Sequence, residues 1–289
     1  MRKSPRTFQS ISPLIYSEKN MKEFFSLERI FSWLSLLLII VFVHVIYSAQ
    51  IRPQAEALIS ENRSIESSDQ NLPVPRSFVI IVKDFEQEAC FILMLWATAI
   101  ISFKGFALVR QRVQLDQHIV PIKAGIKILP QDTYRYSRKI QSLKNTQRQF
   151  LLPRALETGL HRFGTTRRIQ DVSTAIGEVC ETESERLDSE LSTIRYIVWA
   201  IPSIGFIGTV RGISQALGEA YRALEGDISG VTSNLGIAFN STFVALLISL
   251  FVMFLMHQLQ RAQEKFVLDT QKYCDTQLIP HLANYDEHS

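Results

Sequence analysis

The sequence predicts an all-α, polytopic membrane protein with four transmembrane helices, the last two extended into the cytoplasm as a helical bundle. Its 289 residues gather the apolar side chains into four blocks and place most charges between them. Each block has about 19 residues or more, the length that an α-helix needs to cross a bilayer. Flanking the last two blocks, apolar residues recur every three or four positions, as in amphipathic helices.

The first two predicted spans cover residues 30–48 and 89–109. The first contains no charged residue, and its length as a helix is about 28 Å. A cleavable secretory signal is the alternative interpretation, but the 29 preceding residues and the missing small-x-small site favour an uncleaved anchor. The second span contains Lys104, whose ammonium group is expected to reach the lipid headgroups.

The third and fourth predicted spans cover residues 196–217 and 235–256. The third contains Pro202 and Arg211, whereas the fourth is uncharged. Both contain hydroxyl-bearing residues together with glycine and alanine, and the first span has neither glycine nor alanine. Together with the flanking residues, they form a region, 191–260, in which we expect the function to lie.

Lysine and arginine counts in the connections predict the orientation. Residues 1–29 carry six, 49–88 carry four against seven acids, and 110–195 carry fifteen. We therefore expect a cytoplasmic N-terminal segment, a periplasmic loop at 49–88, a cytoplasmic helical domain at 110–195, and a cytoplasmic C-terminal helix and tail at 257–289. Both termini are then inside.

The cytoplasmic connections are expected to be mainly helical. In the periplasmic loop, residues 71–75 are typical of an extended linker. Proline and glycine predict cytoplasmic helix breaks near Pro121, Pro130, Pro153 and Gly164. From Arg168 onward, the periodicity predicts a helix that continues directly into the third span, and a similar stripe follows the fourth span to Pro280. Two separate surface helices are the alternative to a bundle.

Small and polar residues mark matching faces on the last two spans. We expect helix packing at Gly205, Gly208, Gly212, Ala238 and Ala245. Polar side chains within hydrocarbon need partners and are typical of functional sites, so an ion pathway is predicted. Its candidate residues are Thr209, Asn240, Ser241 and Thr242. The alternative is ordinary helix contact, with each hydroxyl bonded to the carbonyl one turn earlier.

The predicted spans contain no aspartate or glutamate. Besides the basic groups, His44 is the one side chain there whose unperturbed pKa lies near neutral pH, and we expect it to make a helix contact. Since ion-driven transport needs a titratable or ion-binding group at membrane depth, another polypeptide would have to supply the carboxylate. Arg211, a possible charge at the outer end, would snorkel outward, pair with Glu219 or meet a partner's acid.

Other function classes lack their sequence signals. The three cysteines are far apart and form no CxxC motif, which argues against a metal site. A net charge of +3 without a basic, aromatic-rich run argues against nucleic-acid binding. No His/Asp, His/Glu or Ser/His pair lies within a span, so we predict no enzyme activity, catalytic residue or cofactor.

Two segments of the predicted spans resemble the MotA/TolQ/ExbB proton channel family. Residues 205–213, Gly-Phe-Ile-Gly-Thr-Val-Arg-Gly-Ile, are similar to the family's Gly-x-x-Gly-Thr-Val-x-Gly-Ile signature. Arg211 stands where the family often has tryptophan. Residues 238–242 are similar to the second pore stretch, which ends in a threonine matching Thr242, although the usual later glycine is missing. The arrangement of four spans with the N-terminus inside resembles the MotA branch of the family, whereas the residues of the two motifs are more similar to those of ExbB and TolQ.

The resemblance implies a homo-oligomer, usually a pentamer, surrounding a dimer of a single-span ExbD/TolR/MotB-like subunit in the bacterial inner membrane. The partner's transmembrane aspartate would carry H⁺, with Na⁺ as the alternative, past Thr209 and Thr242. Ion flow would drive rotation for energy transduction. The alternative function is a non-conducting membrane scaffold or receptor assembled through the same small-residue faces.

Overall fold

The computed structural model describes residues 13–68, 77–116 and 127–283, and among these the side chains of 30–61, 77–115 and 127–283. All regular elements there are helical, apart from an isolated bridge between Ile128 and Leu282. The α-helices are α1 (Pro13–Ile46), α2 (Arg52–Ser68), α3 (Phe78–Ile81), α4 (Phe85–Asp116), α5 (Thr133–Gln141), α6 (Asn145–Arg148), α7 (Leu151–Thr166), α8 (Ile169–Glu190), α9 (Ser192–Gly218), α10 (Ala220–Leu224) and α11 (Ser229–Gln277).

Among the described residues, four helical stretches are long and apolar enough to cross a membrane. They are Ile30–Glu61, Phe85–Leu115, Ile169–Gly218 and Ser229–His281. Each contains one of the four predicted spans. The predicted all-α, four-span fold class is therefore confirmed.

The chain divides into two compact units, Met1–Trp96 and Ala97–Ser289. In the first unit, α1 and the start of α4 form an antiparallel pair. The Trp96 indole donates a hydrogen bond to the Ser32 carbonyl at 3.0 Å, and His44 meets Glu88 further along. A π-helical turn, Tyr47–Ile51, joins α1 to α2. The segment predicted as a loop thus contains α2, while the predicted linker at 71–75 lies outside the described residues.

The second unit is built on two long helical rods, α8–α9 and α11. Only Leu191 separates α8 from α9, and Arg195 holds this junction. The Arg195 guanidinium donates hydrogen bonds to the Asp188 carboxylate at 2.9 Å and to the Asp188 carbonyl at 2.7 Å. The predicted continuation of the helix from Arg168 into the third span is therefore found, with one interruption.

Helix breaks are found near Pro153 and Gly164, as predicted: residues 149–150 separate α6 from α7, and residues 167–168 separate α7 from α8. Neither predicted residue is itself at the break. Pro153 and Gly164 both lie inside α7. Pro153 is in the first turn, where a backbone N–H would have no helical acceptor in any case. Gly164 is in the last turn, and the helix ends beyond it at Arg167, which has a left-handed φ of 58°. Pro130 does lie in a turn before α5, and Pro121 lies outside the described residues.

Helix α11 has 49 residues and a length of about 73 Å, well over twice the thickness of a bilayer core. Helix α9 packs on its first half, where Gly205 and Gly212 meet Ala245 and Ala238, and α8 lines a cleft with its second half. After Gln277 the chain turns, and the Ile128 amide donates a hydrogen bond to the His281 carbonyl at 2.6 Å. We call residues 196–217 and 235–256, the last two predicted spans, the apolar segments. Outside them, this unit is a helical bundle of α5, α7, α8 and the second half of α11.

Candidate ion pathway

Helices α9 and α11 come closest where glycine on one meets alanine on the other. A Cβ atom added at Gly205 would overlap the Cβ of Ala245, and one added at Gly212 would lie 2.8 Å from the backbone nitrogen of Ala238. Gly208 is buried on the same helix. Small residues therefore bring the two backbones together here.

Thr209 and Thr242 form a reciprocal pair across this contact. Thr209 Oγ1 donates to the carbonyl oxygen of Ala238 at 3.0 Å, one turn before Thr242 on α11. Thr242 Oγ1 donates to the carbonyl oxygen of Gly205 at 3.2 Å, one turn before Thr209 on α9. The two hydroxyls also contact each other. A hydroxyl has one proton and two acceptor lone pairs. Rotation about the Cβ–Oγ1 bond can therefore move the proton of either threonine from its carbonyl acceptor to the other hydroxyl, while both helices stay in place.

Ser249 supports a second polar contact between the same helices. Pro202 has no N–H and therefore leaves the carbonyl of Val198, four residues earlier, without its helical donor. The Ser249 hydroxyl of α11 donates to this carbonyl at 2.9 Å. A proline within the span and a serine on the facing helix thus complement each other.

The other two polar residues of the fourth span lie apart from the threonine pair. The Ser241 hydroxyl is buried and donates to the carbonyl of Ile237, one turn earlier, at 3.0 Å. Asn240 is two residues from Thr242 and so about 200° away around the helix. Its half-buried amide has no hydrogen bond within the described part of the chain.

The two predicted outer-end charges, Arg211 and Glu219, follow Thr209 in the chain. Arg211 is half-buried. Glu219 follows the last residue of α9 and forms an ion pair with Arg222 at 2.9 Å. Asp227, in the turn before α11, accepts hydrogen bonds from Ser229, and these lower the pKa of its carboxyl group.

Lys104 does not snorkel as the sequence suggested. It is buried, and its Nζ lies 2.9 Å from Glu190 Oε2. Glu190 also pairs with Arg186, which bonds the buried Glu183, and Glu183 pairs with Arg154 at 3.1 Å. An alternating chain of charges therefore joins α4, α8 and α7 within the second unit.

A cluster in the first unit was not predicted. Glu88 is 6% exposed, and its Oε1 lies 2.8 Å from His44 Nδ1 while Oε2 contacts Arg52. Arg52 also stacks over the ring of Phe85 at 4.2 Å. His44 thus makes the expected helix contact, but to a carboxylate. Glu88 precedes the predicted second span by one residue. Had the first two spans been assumed to pair antiparallel, the end of the first, which contains His44, would have been expected beside the start of the second.

A polar cleft of about 170 Å³ opens on the α8–α11 seam, beyond the apolar segments. It is lined by Ser184, Leu187, Asp188, Leu191, Gln260, Gln263, Glu264 and Val267. Nearby, the Arg195 hydrogen bonds lower the pKa of Asp188. Burial raises the pKa of Cys180 to about 11 and also raises that of Cys274. Among the described residues, no group of three or more histidine, cysteine, aspartate or glutamate side chains could hold a metal ion.

These apolar helices, with hydroxyl groups between the last two, define a multi-pass helical membrane protein. Residues 147–272, from α6 into α11, match the model of the MotA/TolQ/ExbB proton channel family. The family resemblance of the last two spans is therefore confirmed, and it extends into the helices outside the apolar segments. No curated protein and no solved structure matches the chain.

Proposed function

We propose that this chain is the ring-forming channel subunit of an ion-driven motor in the bacterial inner membrane. The observation that carries the proposal is the reciprocal Thr209–Thr242 pair, which lies inside the segment matching a proton channel family. Hydroxyls that can exchange donor and acceptor roles by rotation suit the transfer of a proton to and from a carboxyl group.

The carboxyl group would come from a partner. Residues 196–217 and 235–256 contain no aspartate or glutamate, and a proton-driven machine needs a titratable group at membrane depth. The partner is a dimeric single-span subunit with an aspartate in its span, similar to ExbD, TolR or MotB. Protonation and release of this aspartate beside Thr209 and Thr242 drives rotation. The transported ion is H⁺ in this proposal, and Na⁺ is the alternative.

In a ring of subunits, for which we propose five members, neighbouring copies would cover faces that the last two helices leave exposed. Phe206, Val210, Phe243 and Leu247 are each more than half exposed, and the Asn240 amide would find its hydrogen bond on a neighbouring helix. Lipid covers the remaining apolar surface. The lysine and arginine counts of the connections favour a cytoplasmic location for both termini. With that orientation the polar cleft at Gln263 lies on the inner side of the pathway.

Valine substitutions of the two threonines test conduction separately from assembly. Interhelical hydrogen bonds in membranes contribute only about 0.6 kcal/mol on average, so Thr209→Val and Thr242→Val should leave the oligomer intact. We expect each to abolish proton flux, measured with a pH-sensitive dye in proteoliposomes that hold the complex purified with its partner. Thr209→Ser and Thr242→Ser keep the hydroxyl and should retain flux. Full flux in both valine variants would contradict the proposal.

A non-conducting scaffold or receptor is the second candidate function. It is favoured by the observation that both threonine hydroxyls have hydrogen-bond partners within the chain. In that case the pair only fastens α9 to α11. The scaffold predicts proteoliposomes that are proton-tight with the unaltered protein, so the same dye measurement separates the two functions.

A further inference from the structure

One exposed face of α5 is strongly basic. Arg135, Arg138 and Lys139 are exposed, whereas Thr133 and Ile140 on the other side of the helix are buried. Lys144 continues the exposed charge just beyond α5. Within the described part of the chain, none of these four cations forms an ion pair. We call them the basic face.

Helix α8 carries an exposed acidic face. Glu178, Glu181 and Glu185 are exposed and follow one another at spacings of three and four, so they share one side of the helix. This side is opposite the buried Ile176, Cys180 and Leu187. The three carboxylates have no ion-pair partner among the described residues, in contrast to the buried Glu183.

The basic and acidic faces lie on opposite sides of the second unit, with α7 in between. Helix α5 contacts one side of α7, where Gln141 bonds Glu157 at 3.1 Å. Gly159 is two residues from Glu157, hence about 200° around the helix, and a Cβ added there would lie 3.0 Å from Ile176 of α8. Because the exposed sides of α5 and α8 both point away from α7, one chain cannot join its own two faces.

The two faces nevertheless lie at a similar height along the bundle. Arg154 of α7 pairs with Glu183 of α8 at 3.1 Å, and Glu157 follows Arg154 by three residues. Three residues rise about 4.5 Å along a helix, and α7 runs antiparallel to α8, so Glu157 is level with a residue about three positions before Glu183. Gln141, at the end of α5, bonds Glu157. The end of α5 is therefore within a few ångströms of the height of Glu181. Glu181 is 15 residues before the predicted span at Tyr196, or about 22 Å along the helix.

We propose that the basic face of one chain binds the acidic face of the next copy, closing the ring outside the membrane. This inference rests on the proposed function, because a shared bilayer holds all copies parallel and at equal height. Complementary patches on opposite sides of a subunit then form head-to-tail contacts, which generate a closed ring when the rotation closes. The partner of each face is therefore a second copy of this chain.

Cross-linking between copies tests the contact directly. Two single variants of the whole chain, Arg138→Cys and Glu181→Cys, are produced together, each with its own tag. Membranes that contain both are treated with a short bismaleimide. We expect a cross-linked dimer containing both tags. The native Cys90, Cys180 and Cys274 are buried, so the unaltered chain gives the background. Arg168→Cys replaces Arg138→Cys in the matched control and should give no dimer, since Arg168 is exposed but is not part of the basic face.

Charge reversal provides an independent readout. Arg138→Glu with Lys139→Glu, or Glu178→Lys with Glu181→Lys, should weaken ring association at least tenfold, because like charges then face each other across the interface. The four changes combined should restore it. Arg162→Glu with Arg168→Glu is the control reversal and should have no effect. Exposed pairs are screened by salt, so high salt should reduce the differences.

The outcomes separate this inference from the function on which it rests. A ring of unchanged mass that gives no Arg138–Glu181 cross-link and tolerates both reversals would overturn the interface while leaving the motor proposal intact. A chain that is monomeric in its native membrane would overturn both. Restoration by the fourfold variant would exclude misfolding as the cause of dissociation in the two reversals.

Discussion

At the scale of single residues, the Val198 carbonyl shows how two sequence features on different helices depend on each other. Pro202 removes its helical donor and Ser249 replaces that donor from α11. Within the hydrocarbon core of a bilayer, no water is present to donate a hydrogen bond to an unsatisfied carbonyl. The serine is therefore more than a small residue that permits close packing.

We predict that Ser249→Ala destabilises the protein by about 1–3 kcal/mol, the cost of leaving a buried acceptor unsatisfied. In a Pro202→Ala background the restored N–H of residue 202 would bond Val198, so the same Ser249→Ala change should cost much less. Unfolding by detergent titration measures both effects. Equal losses in the two backgrounds would show that Ser249 does not act through the Val198 carbonyl.

The Lys104–Glu190 pair leads to an asymmetric prediction. Glu190→Gln leaves Lys104 and Arg186 facing a neutral amide, and breaking a buried pair in this way costs roughly 3–5 kcal/mol. Lys104→Met should cost far less, because Glu190 keeps Arg186. The double variant should be more stable than Glu190→Gln alone in thermal unfolding of the detergent-solubilised protein. If Lys104→Met were the more harmful change, this account of the charge chain would be wrong.

At the scale of helices, the α9–α11 contact depends on which atoms meet at each glycine. At Gly205 the overlapping atom is the Ala245 side chain, whereas at Gly212 the nearest atoms include the backbone nitrogen and Cα of Ala238. A side chain can be removed by substitution, but a backbone cannot. The two glycines should therefore differ in whether their loss can be compensated.

We predict that Gly205→Ala and Gly212→Ala each destabilise the helix pair by about 1–3 kcal/mol, the usual cost of overpacking. Ala245→Gly should largely rescue Gly205→Ala, whereas Ala238→Gly should not rescue Gly212→Ala. Gly236→Ala is the control, since nothing lies within 4 Å of a Cβ added there. Thermal unfolding in detergent compares the variants, and rescue at both positions or at neither would contradict the prediction.

Helices were predictable where periodicity and length carried the signal. The apolar blocks and the stripe from Arg168 predicted α8, α9 and α11 because long helices repeat their pattern over many turns. Pro153 and Gly164 indicated the two ends of α7 to within a few residues, but both lie inside the helix, since proline is tolerated in a first turn and glycine in a last one. The Lys104–Glu190 pair joins residues separated by 86 positions in the sequence, and the His44–Glu88 pair joins residues separated by 44. Local sequence patterns do not predict contacts over such separations.

At the scale of the whole molecule, the chain supplies hydroxyls, small residues and charged faces but no carboxylate in its last two predicted spans. The small-residue faces were predictable because their spacing follows the helix repeat. The reciprocal bonding of Thr209 and Thr242 was not, because it depends on the relative register of α9 and α11. Both observations agree with a subunit that works only in an assembly.

Native mass spectrometry of the complex purified from its own membrane tests the motor proposal most directly. The account predicts an assembly of five 33.1 kDa chains with two copies of a smaller single-span protein that has an aspartate in its span. A homogeneous, fully functional complex that contains this chain alone would contradict it.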